Sequence, residues 1–387
     1  MSINVEDYFA PETFKKMKAF ADQHETPFVV IDTATIARAY DEIVENFPFA
    51  KVYYAVKANP ALEITELLKN KGSNFDIASI YELDKVMSCG VKPEQISFGN
   101  TIKKARDIRY FYEKGVRMFA TDSEADLRNI AKAAPGSKIY VRILTEGSGS
   151  ADWPLSRKFG CQTDMAMDLL VLARDLGLVP YGVSFHVGSQ QREIGSWDAA
   201  IGKVKLIYDR LLHEDGIRLQ MINMGGGFPA NYLNQTNSLE AYAEEITRFL
   251  QEDFGDEWPE IILEPGRSLI ANAGILVSEV VLVSRKSRTA VERWVYTDVG
   301  KFSGLIETLD ESIKFPIWTE KQGELEDVVI AGPTCDSADI MYENYKYGLP
   351  LNLASEDRLY WLSTGAYTTS YSSVEFNGFP PLKSYYL

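Results

Sequence analysis

The stretch KVYYAVKANP, residues 51–60, has the pattern of a buried strand that ends in a lysine. Residues 52–56 are β-formers or small, and Pro60 ends the run. Lys57 therefore puts an ammonium group where a closed core would begin. Two interpretations are open on this stretch alone. The lysine extends its charged end to solvent at the strand end, or it is held in a site for its amine chemistry.

Apolar runs of this kind recur along the chain and alternate with segments of helical periodicity. The strand candidates are 52–56, 74–78, 95–99, 116–120, 138–144, 180–186, 219–224 and 260–264, and clear helical patterns fall at 61–71, 123–133, 164–176 and 239–250. Such alternation predicts parallel strands joined by right-handed crossovers. Eight strand candidates predict an α/β fold, a TIM-type (β/α)8 barrel over residues 33–272.

After about residue 272 the pattern changes. Apolar stretches such as ILVSEVVLVSRK, RWVYTDVG and DVVIAG follow one another without helices of matching length between them. This spacing predicts an antiparallel β domain. The early stretch PFVVID, 27–32, precedes the first barrel unit, and we assign it to the β domain. The second domain would then combine residues 1–32 and 273–387.

Composition narrows the classes of function. The formal net charge of −15 argues against binding to nucleic acid or to an anionic membrane. Three cysteines without paired spacing predict neither a disulfide framework nor a zinc site, and we expect no metal. The polar N-terminal stretch and the lack of a long apolar run predict a cytoplasmic protein.

Polar residues with chemical capability fall at or just after the ends of the strand candidates. They are Lys57, Asp76, Arg142, His186, Ser189, the glycines of GGGFP, Glu264 and Arg267. Each alone has a plain structural explanation, such as a cap, a surface pair or a hydrogen-bonded core histidine. Their coincidence at the carboxyl ends of barrel strands, where barrel sites lie, favours one shared site.

The glycine run at 225–227 and Arg267 together are typical of a phosphate site late in a barrel. The chain has neither of the common nucleotide-binding glycine motifs in its expected context. A phosphate beside a site lysine suggests pyridoxal phosphate (PLP), held covalently by Lys57. Glu264 would then face the pyridine nitrogen and keep it protonated, and His186 could stack on the ring.

A set of longer motifs carries a resemblance. They are YYAVKANP (53–60), FDIAS (75–79), LSRKFG (155–160), HVGSQ (186–190), GGGFP (225–229), EPGR (264–267), GPTCDSAD (332–339) and GAYTTSYSSVEFNGF (365–379). In these the chain resembles the fold-type III, alanine-racemase-like PLP decarboxylases, and within them the ornithine decarboxylases of the ornithine, diaminopimelate and arginine group.

The resemblance implies a role for each matching position. Lys57 would carry the cofactor, Asp76 and Arg142 would line its pocket, His186 would stack on the ring, and Glu264 would meet the pyridine nitrogen. The phosphate ligands would be Ser189, Gly227, Arg267 and Tyr367, and Gly226 and Gly266 would also bind the cofactor. Cys335 would protonate the substrate carbon in the site of the partner subunit, which implies an obligate homodimer with shared active sites.

The resemblance also implies a basic amino acid as substrate, with L-ornithine first, giving putrescine and CO2 for polyamine biosynthesis. Asp310 would meet the distal ammonium, although its neighbour Glu311 could be the contact and the pair could be an exposed acidic turn. Asp336, which follows Cys335 directly, would also bind the substrate. The alternative is L-lysine, which would give cadaverine, or both lysine and ornithine, since one methylene is worth only about 1–3 kcal/mol in a pocket. Diaminopimelate and a non-catalytic regulatory homologue are further alternatives.

Overall fold

The computed structural model describes residues 3–145, 151–153 and 158–387. Residues 155–157 of the LSRKFG motif lie outside them. The chain forms two units, one of Ala37–Pro229 and Asn237–Gly266, the other of Met1–Ile36, Ala230–Thr236 and Arg267–Leu387. The domain limits drawn from the sequence, 33–272 and its two flanks, stay a prediction.

Strands and helices alternate along the first two thirds of the described chain, and strands predominate after them. The strands are β1 (Phe28–Ile31), β2 (Ala50–Ala55), β3 (Asn74–Ile77), β4 (Ile96–Phe98), β5 (Met118–Thr121), β6 (Lys138–Arg142), β7 (Ala151–Trp153), β8 (Val179–Ser184), β9 (Ser189–Gln191), β10 (Met221–Asn223), β11 (Glu260–Leu263), β12 (Gly274–Ser284), β13 (Arg293–Thr297), β14 (Ile317–Trp318), β15 (Leu325–Ala331), β16 (Ile340–Pro350), β17 (Arg358–Leu362) and β18 (Lys383–Tyr386). The α-helices are α1 (Pro11–Ala21), α2 (Thr33–Asn46), α3 (Leu62–Asn70), α4 (Ile80–Ser88), α5 (Ala105–Glu113), α6 (Glu124–Ala133), α7 (Thr163–Asp175), α8 (Gly195–Asp215), α9 (Leu239–Phe254) and α10 (Arg267–Ile270).

The first unit contains the predicted barrel. Its strands close in the order β10, β11, β2, β3, β4, β5, β6 and β8, and every neighbouring pair is parallel. All eight strand candidates are found, with ends shifted by a few residues. Buried side chains fill the space that the strands enclose, namely Tyr53, Met118, Ala120, Tyr140, Tyr181, Met221 and Ile262. The (β/α)8 prediction is therefore confirmed, and the barrel is a packed core with its chemistry confined to an end.

The register of the barrel brings the carboxyl ends of neighbouring strands to one edge. Ala55 of β2 pairs with Asp76 of β3, and Arg142 of β6 pairs with Ser184 of β8. Lys57 lies in a 3-10 turn, Val56–Ala58, that directly follows β2. Because parallel strands in register end together, the polar residues after them face a common space.

The second unit is a sheet with the strand order β14, β17, β12, β13, β15 and β16, to which β1 and β18 are added. The prediction that it is antiparallel is wrong for two pairs, since β1 runs parallel to β18 and β13 parallel to β15. Neither pair is joined by a tight hairpin, so no turn dictates its direction. The assignment of 27–32 to this sheet is confirmed, because β1 pairs with β12 as well as β18.

A membrane-spanning helix is not found among the residues that the structure describes, because none of their helices combines the necessary length and apolar character.

Candidate active site

Four charged side chains interact at the carboxyl end of the barrel. Burial raises the pKa of the Asp76 carboxyl well above its ordinary value, Glu264 raises it further, and Lys57 lowers it in part. Burial lowers the pKa of Arg142, while Glu264 and Asp76 act in the opposite direction. The backbone N–H of Ala55 donates to the carbonyl of Pro265 at 3.1 Å, which ties the EPGR loop to the end of β2. Two carboxyl groups and two basic groups thus lie close enough to affect one another's pKa at this end of the barrel.

The glycine run beside this cluster leaves no room for side chains. A Cβ atom at position 226 would lie 2.5 Å from the carbonyl oxygen of Glu264, and one at 227 would lie 2.5 Å from that of Gly188. Gly227 also has a φ of +104°, which residues with side chains rarely adopt. Gln191 donates its N–H to the Gly227 carbonyl at 2.9 Å, so strand β9, which begins at Ser189, is fastened to the loop.

His186 lies next to this loop in a neutral form. Burial, Arg142 and Lys57 all lower the pKa of its imidazole well below the ordinary value. The N–H of Gly188 donates to Nδ1 at 3.0 Å, so Nδ1 is an acceptor and the ring proton is on Nε2. An uncharged ring with one edge fixed in this way can stack on a flat aromatic ligand.

Asn223, the last residue of β10, connects two parts of the site that the sequence treated as separate. Its side-chain amide donates to Oε1 of Glu264, and its Oδ1 accepts the N–H of Gly225 at 2.9 Å. The N–H of Glu264 donates in turn to the Gly225 carbonyl at 2.7 Å. One buried amide therefore orients the carboxylate and holds the glycine loop. A polar residue ending an apolar strand candidate was the signal in the sequence that could have found it.

The second unit contains the site residues that were predicted from Arg267 onward. Arg267 is buried and donates to both carboxylate oxygens of Glu307, at 2.7 and 2.6 Å, and to the Tyr232 hydroxyl at 2.9 Å. Its guanidinium carbon is 4.9 Å from the centre of the Tyr367 ring, which brings two predicted phosphate ligands together. Sequence reasoning missed Tyr232 and Glu307, because nothing in their local pattern marks them.

Cys335 and Asp336 are exposed on a loop whose backbone is fixed by hydrogen bonds. The N–H of Cys335 donates to Oδ1 of Asn377 at 3.0 Å, and the Asp336 carboxylate accepts the N–H of Ala338 at 2.8 Å. Asp339, which is 2% exposed, accepts the N–H groups of Lys301 and Thr334 and the Thr334 hydroxyl. The thiol is therefore presented to the outside on a fixed backbone.

The two acidic candidates for the distal ammonium have different surroundings. The Glu311 carboxylate accepts the backbone N–H groups of Glu343, Asn344 and Tyr345 at 2.7, 2.7 and 2.8 Å. Burial raises its pKa, but these hydrogen bonds outweigh burial and the pKa is lowered. Asp310 is exposed, and both residues have a positive φ, 52° and 54°. Such strain in residues with side chains is concentrated at functional sites.

The barrel groups fit a cofactor that has an aldehyde, a basic ring nitrogen and a phosphate. Lys57 can hold the aldehyde, Glu264 can face the ring nitrogen, and the glycine loop offers close backbone approach. Among the described residues, Oδ1 of buried Asp76 has no hydrogen-bond partner, which is the kind of group that a ligand satisfies. The fold and the site define a PLP enzyme built on a barrel.

The comparisons with known proteins give the family. Residues 33–271 match the pyridoxal binding domain of the pyridoxal-dependent decarboxylases. The chain is 31% identical to the lysine/ornithine decarboxylase of Selenomonas ruminantium over 94% of its length and 90% of the relative's. It is 31% identical to the ornithine decarboxylase of Saccharomyces cerevisiae, over 92% of the chain and 79% of the relative. The chain belongs to the pyridoxal-dependent decarboxylases, and its cofactor is PLP.

The relatives differ in what they act on. The lysine decarboxylase of Selenomonas ruminantium, solved with PLP and cadaverine, has a TM-score of 0.87 at 29% identity and covers 100% of this chain and 95% of its own. The arginine decarboxylase of Paramecium bursaria Chlorella virus also has a TM-score of 0.87, at 26% identity, covering 97% and 100%. Antizyme inhibitor 2 of Xenopus laevis is 31% identical over 91% of this chain and 79% of the relative. The family is therefore that of basic amino acid decarboxylases, without a single substrate.

Asn223→Ala should weaken PLP binding about 10- to 150-fold, because it removes a hydrogen bond to a charged group, worth about 1.5–3 kcal/mol. Asn223→Asp keeps an acceptor for the Gly225 N–H but puts a second carboxylate beside Glu264. It should therefore hold the loop while making PLP binding dependent on pH, because two adjacent carboxylates repel each other. Absorbance titration with PLP across pH measures both effects. If both variants bind PLP with wild-type affinity and wild-type pH dependence, Asn223 does not contribute to the PLP site.

Proposed function

We propose that the protein decarboxylates a basic L-amino acid with PLP, and that the substrate is L-ornithine, which yields putrescine and CO2. The observation that carries the choice of a basic substrate is the acidic pair at 310–311, in which Glu311 is engaged by three backbone N–H groups and Asp310 is exposed. A carboxylate facing an ammonium group makes a charge-assisted hydrogen bond. Asp336, next to Cys335, is the second acidic candidate in the substrate pocket.

The residues at the barrel end have separate tasks in this proposal. Lys57 would be the covalent anchor for the aldehyde of the cofactor. Glu264, oriented by Asn223, keeps a proton on the pyridine nitrogen. When bound, PLP supplies an electron sink for the charge left behind by CO2. Neutral His186 stacks on the ring without adding a positive charge that would repel the protonated pyridine.

Residues of the second unit complete the proposal. Arg267 and Tyr367 bind the phosphate together with Ser189 and Gly227, and Gly226 and Gly266 also bind the cofactor. Cys335 donates a proton to the substrate carbon after CO2 has left. The exposed position of its thiol and the fixed backbone beneath it support this role, because a proton donor must be both accessible and positioned.

A homodimer with shared sites is part of the proposal. Four large apolar side chains of the segment 371–379 are exposed, namely Tyr371, Val374, Phe376 and Phe379. Cys335 is bonded to Asn377 within this same segment. A cluster of exposed apolar side chains marks an interaction surface, and a second copy of the chain is the occupant that the shared-site mechanism requires. A cytoplasmic location stays a prediction.

L-Lysine is the second candidate substrate, and diaminopimelate is less favoured because it needs a partner for a distal carboxylate. The alternative from another functional class is a non-catalytic regulatory role. The similarity to antizyme inhibitor 2 is the reason to consider it. This chain has Lys57 and Cys335, the two residues that such a homologue could lose without harm. Their presence supports an enzyme.

Catalytic efficiency on four amino acids should separate these candidates. We expect kcat/KM for L-ornithine to exceed that for L-lysine about 10- to 200-fold, the discrimination that one methylene allows. L-Arginine and diaminopimelate should be poorer still, and CO2 release measures all four. A preference for lysine would establish the second candidate. A yellow protein that releases no CO2 from any of them would favour the regulatory role.

Asp310→Asn should raise KM for L-ornithine about 10- to 150-fold, since it removes a contact between charges worth about 1.5–3 kcal/mol. The matched control is Glu311→Gln, which should lower the melting temperature because the 343–345 backbone loses its charged acceptor. Norvaline, which lacks the distal amine, provides the second readout: Asp310→Asn should reduce the preference for ornithine over norvaline, and Glu311→Gln should not. The reverse pattern would assign the ammonium contact to Glu311.

Mixed dimers test whether the sites are shared. Lys57→Ala and Cys335→Ala should each be nearly inactive alone. After co-refolding in equal amounts, about half of the dimers are mixed and each has one intact site, so about a quarter of wild-type activity should return. Both residues acting within one chain would leave the mixture inactive, and that result would exclude the shared site.

A further inference from the structure

The arginine assigned to the cofactor's phosphate already has a buried counter-charge. Arg267 is 4% and Glu307 is 3% exposed, and the two form a bidentate pair at 2.7 and 2.6 Å. With the Tyr232 hydroxyl included, three of the five N–H groups of the guanidinium donate to these two residues. Both partners lie in the same unit as Arg267.

The ion pair between Arg267 and Glu307 stabilises the protein when no phosphate is bound. Removing one partner of a buried ion pair is strongly destabilising, because the other charge is left uncompensated. In the cofactor-free protein, Glu307 supplies the negative charge that permits Arg267 to stay buried. The bidentate contact also fixes the plane of the guanidinium before any ligand arrives.

The same carboxylate acts against a phosphate once one is present. A phosphate that approaches Arg267 meets a pair whose net charge is close to zero instead of a lone cation. The carboxylate of Glu307 repels the phosphate through the same low-dielectric surroundings that strengthen its attraction to Arg267. An arginine with a neutral partner would attract the phosphate more strongly.

We propose that Glu307 is a resident counter-charge: it holds Arg267 in place in the cofactor-free protein and limits the affinity of the site for the cofactor's phosphate. This role rests on the proposed function, in which Arg267 binds that phosphate. The opposing explanation is that Glu307 only orients the guanidinium. A counter-charge weakens phosphate binding, so its neutralisation tightens binding. A residue that only orients Arg267 aids phosphate binding, so its loss weakens binding.

Glu307→Gln tests the sign, because it keeps the shape and one acceptor oxygen but removes the charge. In cofactor-free protein we expect a lower melting temperature, together with about tenfold tighter binding of PLP and of inorganic phosphate. Pyridoxal, which lacks the phosphate, should bind with unchanged affinity. Absorbance titration and ligand-induced melting shifts measure these quantities without substrate, so the result does not depend on decarboxylation.

Two further variants complete the test. Tyr232→Phe removes a neutral hydrogen bond from the same guanidinium nitrogen and should change phosphate affinity less than twofold. In case Glu307→Gln does not fold, Arg267→Gln and Arg267→Gln/Glu307→Gln are compared, and the double variant should bind phosphate more tightly than the single one. Unchanged or weaker phosphate binding on neutralising Glu307 would overturn the inference, as would an equal change for pyridoxal. Either outcome leaves the proposed decarboxylase activity standing.

Discussion

The parallel register of the closed barrel is the constraint on which the site depends. Because Ala55 pairs with Asp76 and both Arg142 and Asn223 pair with Ser184, groups that are far apart in sequence meet at one edge. A shift of one residue in any of these pairs would turn a functional side chain toward the opposite face of the sheet. The hydrogen bond from Ala55 to Pro265 then ties the last strand's loop to the first.

At this edge of the barrel, the pKa of each titratable group depends on burial and on its charged neighbours. Glu264 raises the pKa of Asp76 and opposes the effect of burial on Arg142. The cationic groups Lys57 and Arg142 help burial to keep His186 neutral. In the proposed function, the aldehyde and the basic ring of PLP would therefore meet Lys57, Glu264 and neutral His186 at this end of the barrel.

Much of the barrel could be predicted, because strand and helix periodicity is local and several strand candidates carry a polar residue with chemical capability at or near their ends. The parallel pairing of β13 with β15 could not, since its direction depends on contacts distant in sequence. The candidate site likewise has residues that local sequence reveals and residues that only the tertiary structure reveals. Lys57, His186 and Glu264 are marked by motifs, whereas Asn223 and Glu307 gain their roles only through tertiary hydrogen bonds. Asp310 and Glu311 are adjacent in sequence, and what separates them is the set of N–H groups from 343–345.

The short 3-10 segment Ile306–Glu311 carries three carboxylates with three different partners or exposures. Glu307 meets a guanidinium, Glu311 meets backbone amides, and Asp310 is exposed after a kink at Leu309 and Asp310. Within six residues, one carboxylate pairs with a cation, one fixes backbone geometry and one faces solvent. For protein engineering, this makes the segment a poor place to retune substrate length by swapping acidic residues. The side chain of exposed Leu309 makes none of these contacts among the hydrogen bonds and ion pairs of the described residues, so position 309 has the most freedom to vary.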